Sequence, residues 1–289
     1  MPEYSLATAI WPNGVPFDQV IAELAGAGFR QCELFGPKDL ADERTAGERR
    51  AVLNRHGVWV RTVHSDLSVD LASLDDDDRT RAVAAVASCF EPFAELGGFA
   101  VIVHPSGRGD GESRAEDLEI RIDAIRHSMD TLTAQAEALG IRLAFENLQH
   151  KGAPRPLCRM EDLRRVVDDY PSTVGICLDT GHANNNGLDP ADEARIAGER
   201  LIALHMQDTD ALEDRHWPPG LGNIDWRRFG AALTEIGFDG AWTFEVGTGA
   251  SGPAATAALV RRIADAWAAG RAPSNLPETE TAAGFHTLK

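Results

Sequence analysis

The chain has 289 residues, 28 Lys+Arg against 45 Asp+Glu, and a formal net charge of −17 at pH 7. Hydrophobic residues make up 43% and charged residues 25%, ordinary proportions for a globular chain with apolar material for one large core or two smaller ones. The charge argues against a polyanion-binding surface, because phosphate contacts dominate nucleic-acid affinity, and no apolar run approaches the roughly 20 residues that span a bilayer.

The start, Met1-Pro2-Glu3-Tyr4, has neither the basic residues nor the apolar core of a secretory signal. Cys32, Cys89, Cys158 and Cys177 form no CxxC pair, which excludes a disulfide scaffold and a cysteine-built zinc site. The expected compartment is the reducing cytoplasm.

Strand-length apolar runs alternate with segments of helical period. In chain order the spacing predicts strand Tyr4–Trp11, helix Phe17–Ala27, strand Phe29–Phe35 and helix Glu43–His56. Strand Val58–Ser65, helix Arg79–Leu96, strand Phe99–Pro105 and helix Ala115–Leu139 follow. The second half reads strand Ile141–Asn147, helix Glu161–Asp169, strand Val174–Asp179 and helix Ala191–Glu199, then strand Leu201–Asp208, helix Trp226–Ile236, strand Ala241–Val246 and helix Ala254–Ala268. Gly28, Gly57, Gly97-Gly98, Gly140 and Gly237 stand where helices should stop. Asp75–Asp78, four acids before a helix, complement its dipole.

Eight strand–helix units imply parallel pairing, most economically an α/β fold closed as a (β/α)8 TIM barrel, in a single domain over residues 1–270. An open doubly wound sheet is the alternative, opposed by the absence of GxGxxG after the first strand. The polar tail, 271–289, is aperiodic and is expected to be extended, a candidate for packing on a neighbouring subunit.

The strands are two-sided. In the fifth, Ile141, Leu143 and Phe145 alternate with Arg142, Ala144 and Glu146. In the seventh, Ile202 and Leu204 alternate with Leu201, Ala203 and His205, and in the eighth Trp242 and Phe244 alternate with Ala241, Thr243 and Glu245. The bulky side should face the helices and the other the barrel interior, ending in a polar residue where barrels keep their chemistry.

Polar residues indeed collect at the strands' C-terminal ends: His64, His104, Glu146, Asp179, His205 and Glu245, with His182, Asp214 and His216 just beyond. Any one of the histidines alone could be a satisfied core residue, and Glu245 alone a salt-bridge partner. Independent core residues would not all choose the same end of successive strands, so a shared metal site is expected. Imidazoles and carboxylates without cysteine suit Zn²⁺, Mn²⁺, Co²⁺ or Fe²⁺. Asp208 and Asp210 read as loop residues, and His56, His127 and His286 as solvated.

Phe145-Glu146-Asn147, Cys177-Leu178-Asp179-Thr180-Gly181-His182, Leu204-His205-Met206-Gln207-Asp208, the segment from Asp214 to Trp226, and Phe244-Glu245 resemble the xylose isomerase-like barrels. These include sugar-phosphate isomerases and epimerases, ketose 3-epimerases, inosose dehydratases and endonuclease IV. The resemblance runs from Tyr4 to about Gly270.

Position by position, it implies Glu146, Asp179, His205 and Glu245 as core ligands of one divalent ion, usually Mn²⁺, Co²⁺ or Mg²⁺. It implies His182 and Arg215 as substrate contacts, with His64 and His104 further candidates, while Glu146 and Glu245, on well-separated strands, are the candidate acid and base. The family's arginine stands nearer its metal histidine in sequence than Arg215 does to His205. The endonuclease IV branch instead holds three Zn²⁺ and would add His64, His104, His182, Asp214 and His216 as ligands. Where that branch inserts bulk into DNA, this chain has Leu67-Ser68, and its early loop reads Phe35-Gly36-Pro37-Lys38.

The expected activity is metal-dependent isomerisation or epimerisation of a sugar, keto-sugar or related polyol. A dehydratase or β-eliminating lyase, an abasic-site phosphodiesterase and a non-catalytic metal-stabilised binding subunit are the alternatives. The expected partner is a small carbohydrate rather than nucleic acid or membrane, and the resemblance allows a homo-oligomer.

Overall fold

The computed structural model describes residues 3–107, 118–150 and 155–271. The 272–289 portion of the polar tail and His286 lie outside the described residues.

Eight parallel strands close on themselves in sequence order: β1 (Tyr4–Ala7), β2 (Gln31–Phe35), β3 (Trp59–His64), β4 (Ala100–Val103), β5 (Arg142–Glu146), β6 (Val174–Asp179), β7 (Leu201–Met206) and β8 (Trp242–Phe244), with β8 pairing back onto β1. This is a TIM barrel, and the described residues form one domain. Among the described residues the helices are α1 (Phe17–Gly26), α2 (Gly36–Asp39), α3 (Ala46–His56), α4 (Asp76–Ala87), α5 (Phe90–Leu96), α6 (Leu118–Leu139), α7 (Met160–Val167), α8 (Thr180–Asn185), α9 (Pro190–Ala197), α10 (Trp226–Glu235) and α11 (Pro253–Ala268). None of them is long and apolar enough to cross a membrane.

Local chemistry sets the helix ends. Thr45 and Glu48 form a reciprocal capping box on α3, and Gly57 ends that helix in the left-handed conformation. Asp75 caps α4 by accepting from the Asp78 amide at 2.9 Å, with Asp76, Asp77 and Asp78 in the first turn. The predicted helix Arg79–Leu96 is in fact two, α4 and α5. Pro92 has no N–H for the Ser88 carbonyl, and its ring would collide with that carbonyl in a continuous helix. The short helices α2 and α8 follow their strands with almost no connecting loop, which apolar periodicity cannot reveal.

The large core lies between sheet and helices and includes Leu143, Phe145, Leu204 and Phe244. A separate cluster of small side chains, Ala100, Ile102, Ala144, Cys177 and Ala203, fills the lumen beside β4 to β7. The expected facing needs one correction. Ile176 pairs with Leu201 and Cys177 with Ala203, so Ile202 is an extra residue in β7. This bulge turns Leu201 outward into the large core and Ile202 toward the lumen cluster, the reverse of the simple alternation.

Thr62 pairs with Ala100, Glu33 with Thr62, Ser5 with Gln31, and Ser5 with Thr243. Partners in register share a face, so Ser5, Gln31, Glu33, Thr62 and Thr243, all buried, line the other half of the lumen. One half of the barrel interior is therefore apolar and the other polar.

The β8–β1 seam is held by aromatics. Tyr4 stacks on Phe244 at 6.0 Å, Phe244 on Trp267 at 5.9 Å, and Trp242 meets Trp267 edge-on at 5.4 Å. Each such pair contributes about 0.5–1.5 kcal/mol beyond its buried area.

Candidate metal centre

The strand ends bring nine donor residues to one rim. Donor atoms of Glu146, Asp179, His205 and Glu245 all lie within 4.8 Å of one another, as do those of His64, His104 and Glu146. A third group flanks them: His182 Nε2 lies 3.5 Å and His216 Nε2 3.3 Å from Asp214 Oδ2.

Glu146 joins the first two groups. Its Oε2 lies 3.3 Å from His64 Nε2 and 3.2 Å from His104 Nε2. Its Oε1 lies 3.3 Å from both His182 Nδ1 and His205 Nδ1. Yet both Glu146 oxygens and His205 Nδ1 are buried without a correctly directed hydrogen bond. Close approach without alignment is how ligands sit when they aim at a common point rather than at each other. Buried carboxylates left so would be costly unless a cation joined them. The residues therefore fit a divalent ion.

The outward nitrogens support that fit. Carbonyl oxygens can only accept, so their partners must carry the proton. His64 Nδ1 donates to Ser65 O at 3.0 Å, His182 Nδ1 to Asn147 O at 2.9 Å and His216 Nδ1 to Glu245 O at 3.1 Å. Each leaves Nε2, turned toward a carboxylate, as the nitrogen free to bind an ion in place of a proton.

Electrostatics follow the crowding. Burial alone would raise the Glu146 carboxyl, but the imidazoles, His205 and His104 foremost, hold it well below the usual range. Burial pushes Asp179 up to about 6 against the pull of His182, and drives His104 down to about 3 despite Glu146. Burial works against protonated His182 and His205 as well, yet their acidic neighbours raise both well above the ordinary value. For half-buried His216 desolvation again opposes the charge, yet Asp214 raises it to about 10. Without a cation the cluster holds protons in its place.

Cys177 corrects the expectation of a cysteine-free environment. Its Sγ forms a further group with Glu146 and His205 within 4.8 Å. Burial pushes its thiol well up, so without a metal it stays protonated.

Several side chains that position this rim carry no signal as donors in the sequence. Gln207 donates to Asp179 Oδ2 at 3.2 Å and to Asp214 Oδ1 at 2.9 Å, tying the first donor group to the third. A Cβ at Gly181 would lie 2.4 Å from the Gln207 side chain, so a larger residue in the Asp179-Thr180-Gly181-His182 turn would displace Gln207 from its partners. Asn147 accepts from the Asp179 amide at 2.7 Å. Asp208 is a fully buried organiser of the next loop, accepting from Trp226 Nε1 and the Gly220 amide, each at 2.8 Å. A Cβ at Gly222 would come 2.2 Å from Thr209 O in that loop. Glu33, on β2, accepts from Thr62 Oγ1 at 2.7 Å and approaches His205 Nε2 at 3.0 Å. An acid flanked by Cys32 and Leu34 inside a strand was the available signal.

Above the donors opens a cavity of about 660 Å³ whose walls include Leu67, Leu148, Gln149, His150, Arg155 and Leu212. Arg215, expected against the substrate, is not on that wall. It pairs with Asp210 at 2.9 Å and lies over Trp217 at 5.5 Å. Arg155 is the arginine on the wall, donating to Ser106 O at 2.9 Å, Gly107 O at 2.6 Å and Gln149 O at 3.1 Å. His56 pairs with Asp18, and His127 bonds the Asp123 carbonyl on its own helix.

A parallel eight-stranded barrel with its polar donors at the C-terminal rim defines the class as a TIM-barrel protein with an enzyme-type site. The xylose isomerase-like TIM barrel family matches residues 21–266, and the chain belongs to that family. A protein of Thermoplasma acidophilum named "Probable endonuclease 4" is 27% identical over 199 residues, 64% of this chain and 66% of that protein. A D-psicose 3-epimerase of Enterocloster bolteae is 34% identical over 127 residues, 43% of this chain and 40% of that enzyme. Neither match reaches two thirds of the relative's own length. A solved D-tagatose 3-epimerase-like protein superposes with a TM-score of 0.80 at 21% identity, over 92% of this chain and 97% of that one; at that identity the likeness is one of fold.

Proposed function

We propose that the chain is a divalent-metal-dependent isomerase or epimerase of a sugar, keto-sugar or related polyol, acting in the cytoplasm. The observation that carries this is the four-residue donor set, Glu146, Asp179, His205 and Glu245, beneath a cavity of about 660 Å³. That volume falls within the range of small-molecule sites. The likeness to a D-psicose 3-epimerase supports the same reading.

The four residues would hold the ion, which when bound supplies polarisation of a substrate carbonyl. The chain's own groups do the rest. Glu245, on the cavity wall, takes the proton from the carbon beside the carbonyl, and Glu146, on a separate strand, relays a proton drawn from solvent to the opposite face. His64, His104 and His182 present ring nitrogens to substrate hydroxyls. Leu67, Leu148 and Leu212 supply the apolar part of the cavity lining. Loss of a hydroxyl after the same proton abstraction would make the enzyme a dehydratase or lyase.

A second reading, phosphodiester hydrolysis, is favoured by one observation: two further donor groups, His64–His104–Glu146 and His182–Asp214–His216, adjoin the first. Clustered metals of this kind serve phosphoester cleavage, and the Thermoplasma relative's name agrees. The net charge of −17 weighs against a nucleic-acid substrate.

The deciding experiment incubates the Mn²⁺-loaded protein in D₂O with keto-sugars, inososes and 3-keto-glycosides. Deuterium beside a carbonyl supports the isomerase reading. No exchange on any substrate, together with cleavage of an abasic duplex by protein holding three Zn²⁺ per chain, overturns it.

A further inference from the structure

We infer that Glu33 is a positioning residue for the metal centre: from the polar half of the lumen it fixes His205 in the tautomer that turns Nδ1 toward the ion. This rests on the reading that Glu146, Asp179, His205 and Glu245 hold a divalent metal.

Glu33 is 2% exposed and lies inside the barrel on β2, while His205, fully buried, belongs to β7. The two are 172 residues apart in sequence. Glu33 Oε2 accepts the Thr62 hydroxyl at 2.7 Å and faces His205 Nε2 at 3.0 Å. A carboxylate only accepts, so Nε2 must carry the hydrogen. When the ion displaces the remaining proton, Nδ1 is the nitrogen that offers its lone pair. Nδ1 is the atom that points into the donor group, 3.3 Å from Glu146 Oε1 and 3.3 Å from Glu245 Oε2, and it has no hydrogen-bond partner.

The other anchored histidines donate outward from Nδ1 to backbone carbonyls. His205 is reversed, donating outward from Nε2, and is the one held by a carboxylate. An anionic acceptor orients the ring and also strengthens the opposite nitrogen as a ligand, which a carbonyl does less well. Burying a carboxylate is costly. A fold needing only a filler on β2 would be served by an apolar residue, as in the other half of the lumen.

The test measures metal affinity directly, by chelator competition with Mn²⁺ and Co²⁺. Glu33→Gln should weaken binding about 10-fold and Glu33→Ala about 100-fold. Thermal melts of the metal-free variants establish that they fold. The Co²⁺ absorption bands of Glu33→Ala should change as His205 leaves the ion, and Glu33→Asp should restore part of the affinity. Unchanged affinity and unchanged Co²⁺ bands in a folded variant overturn the inference. Nitrogen NMR of the intact loaded protein needs no variant: His205 must carry its proton on Nε2, and a proton on Nδ1 overturns the inference equally. If the unaltered protein binds no divalent ion, the metal reading itself fails, an outcome distinct from both.

Discussion

His216 holds a left-handed backbone, φ +47°, and its amide donates to Gln207 Oε1 at 2.9 Å. A non-glycine residue rarely adopts that conformation without outside support. Gln207 thus sets the backbone of one donor and, through its amide group, the carboxylates of two others, Asp179 and Asp214. Gln207→Leu is expected to lower metal affinity at the outer group of His182, Asp214 and His216 by about 10- to 100-fold. Metal analysis after dialysis checks this, and the barrel should still melt cooperatively.

Metal uptake should release protons and tighten as pH rises, because the ion displaces protons from His182, His205 and His216. Calorimetry in buffers of different ionisation enthalpy reads the number released. A pH-independent affinity between pH 6 and 8 would contradict the electrostatics of the cluster.

The metal-free protein carries the matching stability signature. His216 is raised in the folded state from 6.5 to about 10. Its contribution is fully present below 6.5 and is lost as pH rises through about 10. Melting temperatures of the metal-free protein should fall across that window, and His216→Asn should flatten the fall.

Glu245→Gln and His205→Ala are expected to lower metal-dependent turnover by at least about 100-fold, the scale of a lost acid–base group. Circular dichroism should remain that of the unaltered barrel. Full activity in either variant would remove these residues from the reaction.

Arg155 and Arg215 should separate. Arg155 ties Ser106, Gly107 and Gln149 together on the cavity wall, so Arg155→Ala should raise KM. Arg215 is occupied by Asp210 and by Glu213 and does not itself line the cavity, and Arg215→Ala should cost no more than about 1 kcal/mol of stability. Steady-state kinetics of the two variants on one substrate decide.

Much of this was legible in the sequence for a physical reason. The eight strands announce themselves because a parallel sheet buries both faces, so each strand is an apolar run bounded by turn residues. The rim donors are legible because a charged or imidazole side chain ending such a run needs a reason to be there. Glu33 was missed because it stands inside its strand rather than at its end, and its partner His205 is five strands further on. The outward turn of Leu201 was hidden because a bulge changes facing without changing composition. Arg215 sits in the right loop, but whether it faces the cavity or Asp210 depends on tertiary contacts that no local pattern records.

The short last strand has a consequence for how the protein comes into being. β8 has three residues, and Glu245 follows directly upon it. Its seat is fixed by pairing Trp242 with Tyr4, a contact between the two ends of the barrel sequence. A growing chain emerging from the ribosome can therefore present Glu146, Asp179 and His205 long before the fourth member of their set exists in place. Capture of an ion in that four-residue setting would become possible only when the ring shuts, so metal uptake would report that β8 has closed onto β1.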